Sequence, residues 1–291
     1  MSICPWVFMD GRMVLAKNAT IPIFDRGLLF AHSAYEVTTV YNGRLVDGPA
    51  HMQRLAHTLN GLEMRLPMSA EELLAVHEVL VRRNGLEEGT VYLQVTGGDY
   101  GERSFTGPKH FRPRLFLFAE SRPMVDARAE TGIRAITLTE TRWSRRDLKT
   151  TQLVSQMLAY RAARSADAET AIFIEDGMVT EAASANLWIV SPEGTVATRD
   201  LSPSILAGVT RAAILDVANL NIEERASSEA ELRAAREVFV SSSGGLVLPV
   251  VEIDGVAVGD GQPGPITRAV QRAYLTHMGA DVQITAPWAA E

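Results

Sequence analysis

Asp176-Gly177-Met178-Val179-Thr180-Glu181-Ala182-Ala183-Ser184-Ala185-Asn186-Leu187-Trp188 is the stretch on which the fold of this chain turns. Asp-Gly supplies the positive φ of a tight turn, and apolar runs flank it on both sides. Glu193-Gly194 and Asp254-Gly255 repeat the pattern further along. Such turns argue for antiparallel pairing and against repeated βαβ units. No Gly-x-Gly-x-x-Gly leads from a strand into a helix, and no Walker-type Gly-Lys-Thr is present. The fold class expected is α+β, in two domains.

Toward the N-terminus the pattern is similar. Val7-Phe8-Met9, Asp10-Gly11 and Met13-Val14-Leu15 form one hairpin candidate; Val37 to Tyr41, Asn42-Gly43 and Leu45-Val46 form another. Met52, Leu55, Leu59 and Leu62 recur at helical spacing. A second helix opens with the capping box Ser69-Ala70-Glu71-Glu72 and runs on through Leu73, Val76 and Leu80. Strands are expected at Thr90 to Thr96 and Arg114 to Ala119, around a Gly-rich loop. The pattern lapses at Ser121-Arg122-Pro123. This places a smaller domain over 1–120, a linker over 121–126 and a larger domain over 127–291. The larger domain starts with a strand, Ile133 to Thr139, then a helix from about Thr150 to Ala166.

The chain has 291 residues, 46% of them hydrophobic, enough for a buried core. With 28 basic and 35 acidic residues its net charge is -7, which disfavours nucleic acid, whose phosphates demand many Lys and Arg contacts. The single Cys4 cannot form an internal disulfide, and no Cys cluster offers a metal site. The first ten residues lack the basic and apolar regions of a signal peptide, and no apolar run approaches the roughly 18 residues that span a bilayer. A cytoplasmic protein without a membrane partner is expected.

Of the 28 basic residues, 25 are Arg and three are Lys: Lys17, Lys109 and Lys149. Only Lys loses its proton readily enough to serve as nucleophile or base. Lys17 and Lys109 fall in loops. Lys149 falls between a strand and a long helix, with Arg142, Arg145 and Arg146 before it, and nearby positive charge disfavours an ammonium. A solvated basic loop is the plainer alternative. Glu181 lies among small residues beside an apolar strand, where it could hold a proton on a heterocyclic nitrogen or simply be a surface Glu. Gly208-Val209-Thr210-Arg211 opens a helix, so its free N–H groups and the Thr210 hydroxyl suit a phosphate, or else a plain cap. Ser241-Ser242-Ser243-Gly244-Gly245 offers further donors. A Lys, a carboxylate and a phosphate site together meet the needs of pyridoxal 5'-phosphate.

The order and spacing of several motifs carry a resemblance. They are Phe24-Asp25-Arg26-Gly27-Leu28-Leu29-Phe30, Tyr35-Glu36-Val37, His51-Met52-Gln53-Arg54-Leu55, Asp147-Leu148-Lys149, Val179 to Asn186, Gly208 to Arg211, and Pro249 to Gly255. Over nearly its whole length the chain resembles the fold-type IV pyridoxal-phosphate aminotransferases, most of all those acting on D-amino acids. The resemblance implies a cofactor at the junction of the two domains and a homodimer. Lys149 would carry the Schiff base and shuttle the substrate Cα proton, and Glu181 would pair with the pyridine nitrogen. Arg54, the Val209 and Thr210 amides, the Thr210 hydroxyl and Ser242 would bind phosphate. Tyr35 would line the substrate pocket. Read without the family, Arg54 is a helix-surface Arg and Tyr35 a core residue.

One departure concerns the substrate. The D-amino-acid enzymes carry an Arg-x-His pair after the Gln-Val-Thr strand to grip the substrate carboxylate. Here Gln94-Val95-Thr96 leads into Gly97-Gly98-Asp99-Tyr100-Gly101-Glu102-Arg103-Ser104-Phe105. Arg103 is the candidate for that Arg; no His follows it, and His110 lies too far along. The expected activity is exchange of an amino group between a D-amino acid, such as D-alanine or D-glutamate, and a 2-oxo acid. The alternatives are transamination of (R)-amines or branched-chain L-amino acids, and a 4-amino-4-deoxychorismate lyase.

Overall fold

The computed structural model describes residues 2–290. They form two compact units. The first runs to Met124 and takes in Leu148–Gln152; the second comprises Val125–Asp147 and the chain from Leu153 onward.

The first unit is built on a seven-stranded antiparallel sheet. Its strands are β1 (Ser2–Ile3), β2 (Trp6–Met9), β3 (Arg12–Leu15), β4 (Ser33–Tyr41), β5 (Arg44–Leu45), β6 (Gly89–Thr96) and β7 (Arg114–Ser121), in the order β3-β2-β7-β6-β4-β5 with β1 beside β7. Both hairpin turns place two successive residues at positive φ, Asp10 (45°) with Gly11 (91°) and Asn42 (49°) with Gly43 (69°). Those are the turns whose twist matches paired strands. Helix α1 (Arg26–Phe30) precedes β4, while α2 (Gly48–Gly61) and α3 (Ala70–Asn84) pack their apolar stripes on the sheet. The Ser69–Glu72 capping box starts α3 and a left-handed Gly85 ends it. Alternation along β6 sends Val91, Leu93 and Val95 into the core against Leu55, Leu59, Leu73 and Leu80.

The second unit is a nine-stranded mixed sheet, ordered β10-β9-β8-β15-β14-β11-β12-β13 with β16 beside β15. Its strands are β8 (Ile133–Thr139), β9 (Thr170–Glu175), β10 (Met178–Ala182), β11 (Asn186–Val190), β12 (Val196–Thr198), β13 (Ile222–Glu224), β14 (Glu237–Ser242), β15 (Leu246–Ile253) and β16 (Val256–Ala257). Its helices are α4 (Ala127–Thr131), α5 (Val154–Ser165), α6 (Val209–Val217), α7 (Glu229–Arg233) and α8 (Pro265–His277), followed by two short turns of helix. The Gly-centred turns join antiparallel pairs as expected. Pairing is nevertheless parallel between β8 and β9, β8 and β15, and β12 and β13. The segment β8-α5-β9 is thus a βαβ unit beside the antiparallel pairs that the turns announce. The Gly-centred turns could report only on the connections they make, and β8 joins β9 through a helix.

Helix α5 starts at Val154 instead of near Thr150. Residues 150 and 151 are committed to the first unit: Thr150 bridges Ala34, and the Thr151 N–H donates to the Ser33 carbonyl at 3.2 Å. The segment carrying Lys149 therefore groups with the first unit and not with the 127–291 domain expected from sequence.

Glu237 secures α8. Its buried carboxylate accepts the N–H of Ile266 (3.1 Å) and of Thr267 (2.7 Å) and the Thr267 hydroxyl (2.8 Å). Losing an anion that satisfies a helix start costs about 3 kcal/mol. Glu237→Ala should accordingly lower Tm by about 5–10 °C; a calorimetric shift below about 2 °C would show that water replaces the cap. No helix among the described residues is long and apolar enough to cross a membrane.

Candidate active site

Lys149 is placed by its backbone. Its N–H donates to Thr58 Oγ1 on α2 (3.1 Å), and its carbonyl accepts the Tyr35 N–H at the start of β4 (3.1 Å). Leu148 packs on Gly61, where even a methyl group would come within 2.6 Å of it. The Lys149 ammonium lies 4.2 Å from the centre of the Tyr35 ring, which stacks on Tyr92. Tyr35, expected to line the substrate pocket, thus meets Lys149 twice, its ring facing the side-chain nitrogen and its N–H bonded to the backbone carbonyl.

Arg54 is not a surface residue. On α2 it donates Nε and Nη2 to the two oxygens of Glu36 on β4, at 2.8 and 2.7 Å. His51, one turn earlier, adds Nδ1 to Glu36 Oε2 at 2.8 Å. Burial alone would raise the Glu36 pKa, but the charge and hydrogen bonds of Arg54 and the His51 bond outweigh it, holding the carboxyl far below the usual range. Burial lowers His51, so its bond to Glu36 is that of a neutral imidazole. The pair fixes Arg54 by one edge of its guanidinium.

Glu181 lies on β10 in a second buried cluster. Oε1 accepts Arg142 Nη1 at 2.6 Å; Oε2 accepts Asn186 Nδ2 at 3.1 Å and the Leu206 N–H at 3.2 Å. Burial raises its pKa, opposed by Arg142 and the Leu206 amide. Arg142 is also held by Glu140, and its guanidinium lies over Phe173. Arg146 pairs with Glu175, and Arg145 with Asp147. The three arginines before Lys149 are thus each met by carboxylates and do not supply the unpaired positive charge their sequence suggested.

The start of α6 forms the phosphate candidate. No side chain caps it, and Gly208 stands at its N-cap with Val209 and Thr210 next. A Cβ on Gly208 would lie 1.9 Å from Asn186 Oδ1, so only glycine lets the chain pass there. Asn186 Nδ2 also donates to the Leu206 carbonyl at 2.9 Å. One side chain therefore couples Glu181 to the turn that opens α6. The buried Thr210 hydroxyl lies 3.5 Å from that of Tyr274. Ser242 ends β14, and its hydroxyl accepts the Gly245 N–H at 3.0 Å. Arg103 is exposed in the loop after β6, its guanidinium over the rings of Phe30 and Phe105.

These residues suit pyridoxal phosphate. An uncapped helix start behind a glycine that admits no side chain fits a phosphate. A buried, fully oriented carboxylate fits a protonated ring nitrogen, and an amine held by its backbone fits a covalent anchor. Glu140, Glu36, His51 and Asn186 have no role in the sequence reading, and Arg142 enters it only as positive charge near Lys149. Glu36, His51 and Asn186 stand inside the quoted motifs; Glu140 gives no signal beyond residue type.

Comparison with known proteins gives the family. The model of the family described as Amino-transferase class IV matches residues 33–253. The chain is 35% identical to the D-alanine aminotransferase of Listeria monocytogenes over 92% of its own length and 94% of that protein's. It is 34% identical to the D-alanine aminotransferase of Bacillus licheniformis over 92% and 95%. The branched-chain amino acid aminotransferase of Escherichia coli superposes with a TM-score of 0.87 at 24% identity, covering 94% of each chain. The chain belongs to the class IV aminotransferases. It is a transaminase, and its cofactor is pyridoxal 5'-phosphate.

Proposed function

We propose that this enzyme moves the amino group of a D-amino acid, such as D-alanine or D-glutamate, to a 2-oxo acid. The observation that carries this is the likeness to D-alanine aminotransferases, 33–35% identical along more than nine-tenths of both partners. The branched-chain enzyme at 24% identity speaks to the fold alone.

The cofactor, when bound, supplies a ring that accepts the electron pair left at the substrate Cα. The Lys149 amine anchors it and then carries the Cα proton. Glu181, oriented on both oxygens, holds a proton at the ring nitrogen. Arg54, the Val209 and Thr210 amides and the Thr210 hydroxyl bind the phosphate, with Ser242 at its edge. Tyr35 borders the substrate, and Arg103 receives its carboxylate. The enzyme works in the cytoplasm as a homodimer. The buried, unpaired Cys4 supports the first. The exposed Val154, Met157 and Leu158, at helical spacing along α5, support the second.

The visible spectrum of the loaded enzyme tests this. D-alanine alone should remove the cofactor band, L-leucine should not, and pyruvate should restore it. Bleaching by L-leucine alone would transfer the enzyme to branched-chain substrates.

A further inference from the structure

Arg26 is buried, only 7% exposed, yet has no ion-pair partner among the described residues. Its backbone is fixed first. Asp25 caps α1 by accepting the Gly27 N–H and receives the Thr96 hydroxyl, both at 2.8 Å, and the Arg26 N–H donates to the Gly98 carbonyl at 2.9 Å. The guanidinium then reaches across the loop after β6. Nη1 donates to the Ser104 carbonyl at 2.6 Å and Nη2 to the Phe105 carbonyl at 3.1 Å. Nε points at His32 Nδ1, 3.3 Å away. His32 Nε2 lies 3.0 Å from the Leu62 carbonyl and must donate there, leaving Nδ1 to accept. The Phe30 and Phe111 rings flank the guanidinium, their centres 4.8 and 5.2 Å away.

A buried charge is costly unless its donors are used, and here two of them are spent on adjacent carbonyls of a segment without helix or strand. Those carbonyls belong to the two residues directly after Arg103. The Arg103 guanidinium lies over the same Phe30 ring at 5.5 Å and over Phe105 at 5.1 Å, with no carboxylate paired to it among the described residues. Phe30 thus touches both guanidiniums, one buried and committed, the other exposed and paired with no carboxylate among the described residues.

We propose that Arg26 is a positioning residue for substrate recognition: it holds the 103–105 loop so that Arg103 can receive the carboxylate of the amino substrate. This rests on Arg103 being the carboxylate receptor. It also explains how an Arg without a neighbouring His can be held in place, since the support comes from beneath the loop, through Arg26 and His32.

A double-mutant cycle on the loaded enzyme tests it, using Arg26→Met, Arg103→Met and their combination. Arg103→Met should raise KM for D-alanine about tenfold or more. Arg26→Met should raise KM by about as much with kcat within about threefold, and the double variant should be no worse than Arg103→Met alone, because effects passing through one group do not add. Amide hydrogen exchange over residues 99–112 should quicken in Arg26→Met while the rest of the protein is unchanged. Arg26→Lys keeps the charge but loses the two-pronged grip; it should show the same KM rise and faster exchange in lesser degree, and serves alone if the Met variant does not fold. Multiplying KM effects, or unchanged exchange in the loop, overturn the role of Arg26 and leave Arg103 standing. An unchanged KM in Arg103→Met overturns the carboxylate assignment, and the proposal with it.

Discussion

Lys149→Ala is expected to abolish transamination, by at least about ten-thousand-fold, and to leave the protein folded. Both halves follow from how the residue is held. The contacts that fix its position, to Thr58 Oγ1 and to the Tyr35 N–H, are made by its backbone and survive truncation. The side chain contributes its approach to the Tyr35 ring, worth about 0.5–1 kcal/mol. The loss in Tm should therefore stay within about 4 °C. In the proposed roles of Lys149, removing the amine removes the covalent anchor and the base for the Cα proton together. Stopped-flow mixing with D-alanine reads the chemical step directly. Conversion by the Ala variant at more than about a hundredth of the wild-type rate would sink the assignment.

Glu181→Gln should lower kcat by about 10²–10³-fold while the cofactor remains bound. The carboxylate accepts on both sides, from Arg142 at one oxygen and from Asn186 and the Leu206 amide at the other. A Gln has one acceptor oxygen and one NH2 group. Whichever way it turns, a donor meets a donor, at a cost of about 1–3 kcal/mol. Arg142 keeps Glu140, so the cluster survives the change. What is lost is the charge that keeps a proton on the ring nitrogen, and this appears in kcat more than in cofactor affinity. A kcat within about threefold of wild type would show that the ring nitrogen does not depend on Glu181.

Local chemistry was the most legible part of the sequence. Asp10-Gly11 and Asn42-Gly43 announced hairpins because few other residues accept two positive φ values in succession, and Ser69 with Glu72 announced the start of α3. Lys149 stood out by scarcity, Glu181 and Thr210 by the small residues and the glycine beside them. Long-range partnerships were hidden. Nothing local tells that Glu36 on β4 faces Arg54 and His51 on α2, since the three meet only once the helix lies on the sheet. Strand direction was hidden for a similar reason: alternation marks a buried face, and β8 has the same alternation whether its neighbour runs with it or against it. The pairing of Arg142 and Arg146 was hidden too, because it is made with carboxylates as distant as Glu181 and Glu175.

The return of residues 148–152 to the first unit bears on how such enzymes can be recombined. The segment that carries Lys149 is bonded to β4 and α2, the elements that also carry Tyr35, Glu36 and Arg54. A chimera joined only near Met124 would take Lys149 from one parent and the surface that seats it from the other. A graft that also transfers Leu148–Gln152 keeps amine and seat from a single ancestor, so the unit of exchange is a discontinuous block and not a stretch of gene.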